Sequence, residues 1–138
     1  TSENGLITVT DNDLIEKSNL NRQFLFRTKD IGHSKSTAAS GAAKNMNSSI
    51  RINAQTHKVG EDNEDVYPPT FWQGQDFIVN ALDNIEARLY VDSQCVKNGK
   101  ALLESGTMGT KGHVQVILPH KTSNYGSTRD PPDVGFPF

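Results

Sequence analysis

Hydrophobic and polar positions alternate or cluster in a way that predicts a mixed succession of elements. Residues 6–10 (LITVT) are short and rich in β-branched side chains, which predicts a strand. Residues 35–46 follow Gly32-His33-Ser34, are rich in Ala, and predict a helix with Ser34 as N-cap and a stop at 45–47. Residues 51–59 (RINAQTHKV) alternate apolar and polar, the pattern of a half-exposed strand. An acidic stretch at 60–67 predicts a loop with a short helical turn, punctuated by Pro68-Pro69. Residues 76–82 (DFIVNAL) form the most apolar run and predict a buried strand. A helix over 84–98 ends at Gly99, the residue type favoured just past a helix C-terminus. Residues 101–105 and 113–118 predict two further strands, separated by a stretch holding three Gly. No internal repeat is visible. This order predicts an α/β fold, Rossmann-like, with a mainly parallel sheet and flanking helices.

Ligands in such sheets sit beyond the carboxyl ends of the strands. Asp11 and Asp13 lie just past the first strand, Asp83 past the DFIVNAL strand, and 105–109 past the next. Asp11 has two readings: a carboxylate accepting two ribose hydroxyls, or a turn residue. Asp13 and Asp83 are each followed three positions later by Glu, at Glu16 and Glu86, which matches an acidic capping box. The competing reading is a Mg²⁺ ion held by strand-end carboxylates. Lys35, in the first turn of its helix, opposes the helix dipole by about 0.3–1 kcal/mol. A bound phosphate removes that conflict; a solvated side chain merely avoids it. Arg22 and Gln23 precede Phe24-Leu25-Phe26, aromatics that read as anchors leaving Arg22 pointing outward for bidentate phosphate recognition. Arg27 and Lys29 read as solvated charges. The lone Cys95 lies on an apolar helical stripe with Val91 and reads as a core residue rather than a nucleophile.

Composition narrows the classes. Apolar residues make up only 34% of the 138, lean for a self-sufficient core of this length. Acids outnumber bases 16 to 14, so no basic field points to nucleic acid. One Cys excludes an internal disulfide or a Cys-rich zinc site, and the four His lack metal-ligand spacing. No apolar run approaches the roughly 18 residues of a membrane helix. No Gly-rich phosphate turn follows the first strand. The chain lacks an initiator Met and stops in a Pro-rich, aromatic run, so it reads as a segment of a longer protein.

Taken together, DNDLIEKSNLNRQFLF at 11–26, GHSK at 32–35, NALDNIEAR at 80–88, LLESGTMGTKG at 102–112 and QVILPHKTSNYGSTRDPP at 115–132 closely resemble the active adenylation half of the ubiquitin-activating enzymes, in the ThiF/MoeB-like superfamily. The resemblance covers nearly the whole chain. It implies an enzyme that adenylates the C-terminal carboxylate of ubiquitin with ATP and Mg²⁺, then passes it to an enzyme cysteine as a thioester. By the same resemblance Asp11 would bind the ribose. Asn19, Arg22 and Lys35 would contact the triphosphate, and Gln23 and Asn84 would line the nucleotide pocket. Asp13 and Asp83 would ligate Mg²⁺, with Asp83, Arg22 and Lys35 carrying the catalysis. Residues 1–118 would form a partial adenylation domain lacking its first β-α unit. Residues 119–138 would be a crossover segment leading toward the catalytic-cysteine domain.

The implied partners are ubiquitin, a ubiquitin-conjugating enzyme and the inactive adenylation half of the same parent chain, with no nucleic acid and no membrane. The implied location is the cytoplasm and nucleus. The Gly-rich turn, the thioester cysteine and an Arg from the inactive half would all lie outside these residues. The isolated segment is therefore expected to bind ATP weakly or not at all, and to expose a sheet edge that invites self-association. The SUMO- and NEDD8-activating enzymes carry zinc-binding Cys pairs near these segments that this chain lacks, and its GTKG and STRDPP blocks favour ubiquitin as the substrate. The alternatives are a non-catalytic scaffold or interaction module of the same fold, or an activating enzyme for another ubiquitin-like protein. An NAD-dependent oxidoreductase leaves the Asp-Asn-Asp stretch unexplained.

Overall fold

The computed structural model describes residues 4–108 and 111–127. Two compact units divide at Lys58/Val59.

In the first unit, β1 (Ile7–Thr10) and β2 (Ile52–Gln55) pair in parallel, with Ile7 opposite Ile52 and Thr10 opposite Gln55. Parallel pairing needs a long crossover, and α1 (Lys35–Met46) supplies it. Ser34 is the N-cap, as its residue type predicts, accepting from the Thr37 amide at a long 3.5 Å. The helix buries small residues, Ser36 and Ser40, so its Ala- and Ser-rich face lies close to the strands. The connection from β1 to α1 is tied down by backbone bonds. Ile15 N donates to His33 O at 2.9 Å, Gly32 N to Ile15 O at 2.8 Å, and Lys35 N to Asp13 O at 3.1 Å. Ile15 and Phe26 are the buried apolar side chains of this connection.

In the second unit, the strand order is β3-β4-β5, with β3 (Phe77–Asn80) parallel to β4 (Ala101–Met108) and β5 (Lys111–Ile117) antiparallel to it. The Gly-containing stretch predicted to link two short strands largely belongs to the strands themselves. The β4–β5 ladder runs from Leu102 opposite Ile117 to Met108 opposite Lys111. A short helix, α2 (Pro69–Gln73), begins where the sequence predicted only punctuation. Pro69 stands at its first turn, where a missing N–H costs nothing.

The helix α3 (Ile85–Asn98) ends in a Schellman closure: Lys100 N bonds Cys95 O at 2.8 Å, Gly99 N bonds Val96 O at 3.3 Å, and Gly99 adopts φ 65°. Its buried stripe, Val91 and Cys95, meets Leu102, Ile117, Tyr67, Trp72 and Tyr125 in one core. Asp92, itself buried, accepts from the backbone amides of Tyr125 (3.1 Å) and Gly126 (3.4 Å), which pins the segment after β5 to α3.

The DFIVNAL run is not buried on both faces. Ile78 faces the core, whereas Phe77 and Val79 are 63% and 55% exposed. On the paired strands Val114 and Val116 are exposed as well. An apolar run predicts a sheet covered on both sides; among the described residues of this unit α3 packs on one. Among the described residues no helix is long and apolar enough to cross a membrane.

Candidate functional site

The first unit presents a group of polar side chains beyond β1. The ladder reaches one residue past the strand, since Asp11 N donates to Gln55 O at 3.2 Å. Asp11 then turns the chain: its Oδ1 accepts from Asp13 N at 2.8 Å. The turn role is therefore real, and it occupies only one carboxylate oxygen. Asp13 caps no helix. The capping pair lies three residues on, where Asn19 Oδ1 accepts from Glu16 N at 2.9 Å around a 3-10 turn at Lys17–Asn19. That buries Asn19 and commits its carbonyl oxygen to the loop, leaving its amide nitrogen as the group available to a ligand.

Lys35 does not reach out into solvent. Its Nζ folds back to Asp13 Oδ2 at 3.3 Å, with the Lys side chain 16% and the Asp side chain 58% exposed. Asp13 thereby supplies an anion at the positive end of α1, offsetting the cation there. Arg22 is exposed, as expected. One of its nitrogens, Nη1, bonds Ser18 O (3.0 Å) and Asn21 Oδ1 (3.3 Å), which holds the guanidinium at the loop rim. Gln23 buries its Oε1 with no hydrogen-bond partner among the described residues. The anchoring aromatics reduce to one: Phe26 is 8% exposed, but Phe24 is 72% exposed. Arg27 is no free charge, because its Nη1 donates to the carbonyls of Phe24 and Phe26.

The second unit presents a separate group of polar side chains at the end of β3. The capping box predicted at Asp83 does not form; a simple N-cap stands one residue later. Asn84 is the N-cap of α3, accepting from Ala87 N at 2.8 Å, and Asp83 is left exposed. Asn84 Nδ2 stands 3.5 Å from Asp83 Oδ1. Asp83 borders an open cleft of about 580 Å³, walled by Arg88, Ser105, Gly106 and His113. Among the described residues no group of three or more His, Cys, Asp or Glu side chains converges on a metal position. Asp13 and Asp83 are each an exposed hard-oxygen donor, the kind Mg²⁺ takes one or two of while keeping its waters.

Comparison with known proteins identifies the family. The ThiF family model matches residues 2–137. The chain belongs to the ThiF family. It is 57% identical over 136 residues to human ubiquitin-like modifier-activating enzyme 6, covering 99% of this chain and 13% of that protein. It is 56% identical over 133 residues to ubiquitin-like modifier-activating enzyme 1 of Dictyostelium discoideum, covering 96% and 13%. Ubiquitin-activating enzyme E1 2 of Arabidopsis thaliana is 54% identical over 134 residues, covering 97% and 12%. The chain thus spans only 12–13% of the length of these curated relatives. Among solved structures, Escherichia coli MccB crystallised with MccA-N7isoASN superposes with a TM-score of 0.76 at 25% identity, covering 88% of this chain and 34% of that one. The ThiF assignment confirms the expected fold class and the resemblance drawn from the sequence.

This ThiF-family chain keeps its one thiol out of chemistry. Cys95 is 1% exposed, and burial, with the Asp92 charge second, pushes its pKa from 9.0 up to about 12. A raised pKa keeps the folded thiol protonated. The stability it contributes is complete below about pH 9.0 and is lost as pH climbs toward about 12. Native protein at pH 8 is expected to leave Cys95 unalkylated by iodoacetamide over an hour, with labelling only after denaturation, as read by peptide mass spectrometry.

One group escaped the sequence reading. Glu104, fully buried, accepts from Asn80 Nδ2 at 2.8 Å and lies 3.5 Å from Arg88 Nε. The available signal was register: Asn80 and Glu104 fall on the inward face of strands otherwise filled by Ile78 and Leu102.

Proposed function

We propose that the protein carrying this chain adenylates the C-terminal carboxylate of ubiquitin, using ATP and Mg²⁺, and passes the acyl group to a cysteine elsewhere in the protein. The observation that carries this reading is Asp83. It stands at a strand end over an open cleft, relieved of capping by Asn84, in a chain more than half identical to activating enzymes. In the reaction a carboxylate oxygen of ubiquitin bonds to the α-phosphorus of ATP while the bond to the β-phosphate oxygen breaks, giving an acyl adenylate and pyrophosphate. The nucleophile is already ionised at neutral pH, so no general base is required.

The task is instead to bring two anions together and stabilise the departing one. Lys35 and Arg22 serve that end on the triphosphate. Lys35 does so by exchanging its Asp13 partner for phosphate. Asp11 takes ribose hydroxyls with the oxygen its turn leaves over, Asn19 donates through Nδ2, and Gln23 and Asn84 line the nucleotide. Asp13 and Asp83 are each assigned to Mg²⁺, which when bound neutralises phosphate charge. The same reading makes a ubiquitin-conjugating enzyme and an inactive adenylation half the protein's partners, in the cytoplasm and nucleus.

ATP–pyrophosphate exchange by the complete protein tests this directly. Exchange is expected with native ubiquitin and to be absent with ubiquitin whose C-terminus is amidated. Equal exchange with both would overturn the proposal.

A further inference from the structure

The peptide plane joining Leu82 to Asp83 lies beyond the last residue of β3, so no ladder bond secures it. Arg88, one turn into α3, does so instead. Its Nε and Nη2 both donate to the Leu82 carbonyl oxygen, at 3.1 and 2.6 Å. The guanidinium is backed by Glu104, which is 0% exposed and is in turn held by Asn80 at 2.8 Å. Asn80 is fixed as well, its carbonyl accepting from Ser105 Oγ at 2.6 Å. A continuous chain of contacts therefore runs from β4 through a buried carboxylate to one carbonyl oxygen. Because a peptide unit is planar, holding that oxygen also fixes the nitrogen and Cα of Asp83.

Gly106 completes the seat. A Cβ built there would stand 2.9 Å from both terminal nitrogens of Arg88 and 2.7 Å from His113 Cε1, so only Gly lets the guanidinium lie where it does. A buried carboxylate is a poor choice for stability alone, since an apolar residue of like volume serves as well or better. It is a good choice for fixing one guanidinium in one orientation.

We propose that Arg88 is a positioning residue: seated on Gly106 and braced by Glu104, it aims Asp83 by holding the carbonyl of Leu82. The proposal rests on the reading that Asp83 acts in adenylation. It explains why Arg is required and Lys insufficient. A planar fork delivers two donors to one oxygen while presenting charge to Glu104, whereas an ammonium is a single point of charge.

The test uses the complete protein and two readouts. Arg88→Lys keeps the positive charge. It is expected to lower kcat for ubiquitin-dependent ATP–pyrophosphate exchange about 10–100-fold, the range typical for partners that orient a ligating side chain, with KM for ATP and ubiquitin within about twofold. Gly106→Ala, which leaves Arg88 in place but displaces its tip, is expected to reproduce that split. By amide hydrogen exchange, both variants should open the Asp83 and Asn84 amides while the interior of α3 keeps its protection. In an Asp83→Asn background Arg88→Lys should add almost nothing. A rise in KM with kcat unchanged, or a full additional loss in that background, means Arg88 touches substrate itself and overturns the proposal. If Asp83→Asn alone leaves exchange intact, the adenylation reading falls first. If Asp83→Asn is impaired and Arg88→Lys is not, only the positioning role falls.

Discussion

Replacing Asp83 by Ala in the complete protein is expected to lower ATP–pyrophosphate exchange about 100-fold or more, with ubiquitin binding retained. The magnitude follows from what the side chain is asked to do. Asp83 is exposed and bonded to no helix amide, so its removal leaves the N-terminus of α3 capped by Asn84 and the fold untouched. Loss of activity without loss of structure is the signature of a group that acts on ligand. Removing one preorganised electrostatic contact at a developing charge typically costs about 10²–10³ in kcat. Raising Mg²⁺ should restore part of the loss if the residue ligates the ion, because a weakened metal site is refilled by mass action. Alanine at position 84, by contrast, removes the cap and costs about 1 kcal/mol of helix stability. Exchange assays across a Mg²⁺ series, with circular dichroism as the structural control, distinguish the two. An Asp83→Ala enzyme retaining more than half its exchange activity would remove Asp83 from the site.

How much of this could be seen in the sequence depends on the range of the interaction that fixes each feature. Local devices were legible. Ser34 and Gly99 announce the two ends of their helices because capping is decided within a few residues. Cys95 was legible because its stripe repeats at helical spacing. The capping boxes at Asp13 and Asp83 misled because the spacing of an acid and a later Glu does not fix where the helix begins. Asn84 rather than Asp83 takes the cap, since it stands one residue nearer the helix and its amide oxygen reaches Ala87 N at 2.8 Å. The ion pair of Lys35 with Asp13 spans 22 positions and was invisible to any window of local pattern. So was the trio of Asn80, Arg88 and Glu104, which exists only once β3 and β4 are in register. Two-sided burial of DFIVNAL was over-read because apolar residues report what a sheet can cover, not what the described residues of this unit cover. Residues 128–138, part of the expected crossover segment, lie outside the described residues.

Glu104→Ala is expected to destabilise the second unit by about 3 kcal/mol, against about 1 for Glu104→Gln. Breaking a buried pair by removing one partner costs about 3–5 kcal/mol, because the other charge stays behind uncompensated. Here the lower end applies. Arg88 is 12% exposed and borders the cleft, so water can solvate part of the guanidinium once its partner is gone. The Asn80 amide has no such recourse. It is 3% exposed, and its Nδ2 loses its acceptor, a penalty of about 1–3 kcal/mol. Glutamine keeps the volume and can still offer Asn80 an oxygen, so it gives up mainly the ionic contact at 3.5 Å, already too long for a good hydrogen bond. Amide exchange at Leu102–Ser105 in the complete protein measures the difference locally. A 3 kcal/mol loss corresponds to roughly 100-fold faster exchange at amides that open with this unit. Exchange rates within threefold of wild type for Glu104→Ala would mean that the carboxylate contributes nothing to holding β3 and β4 together, and that its burial must be explained by the orientation of Arg88 alone.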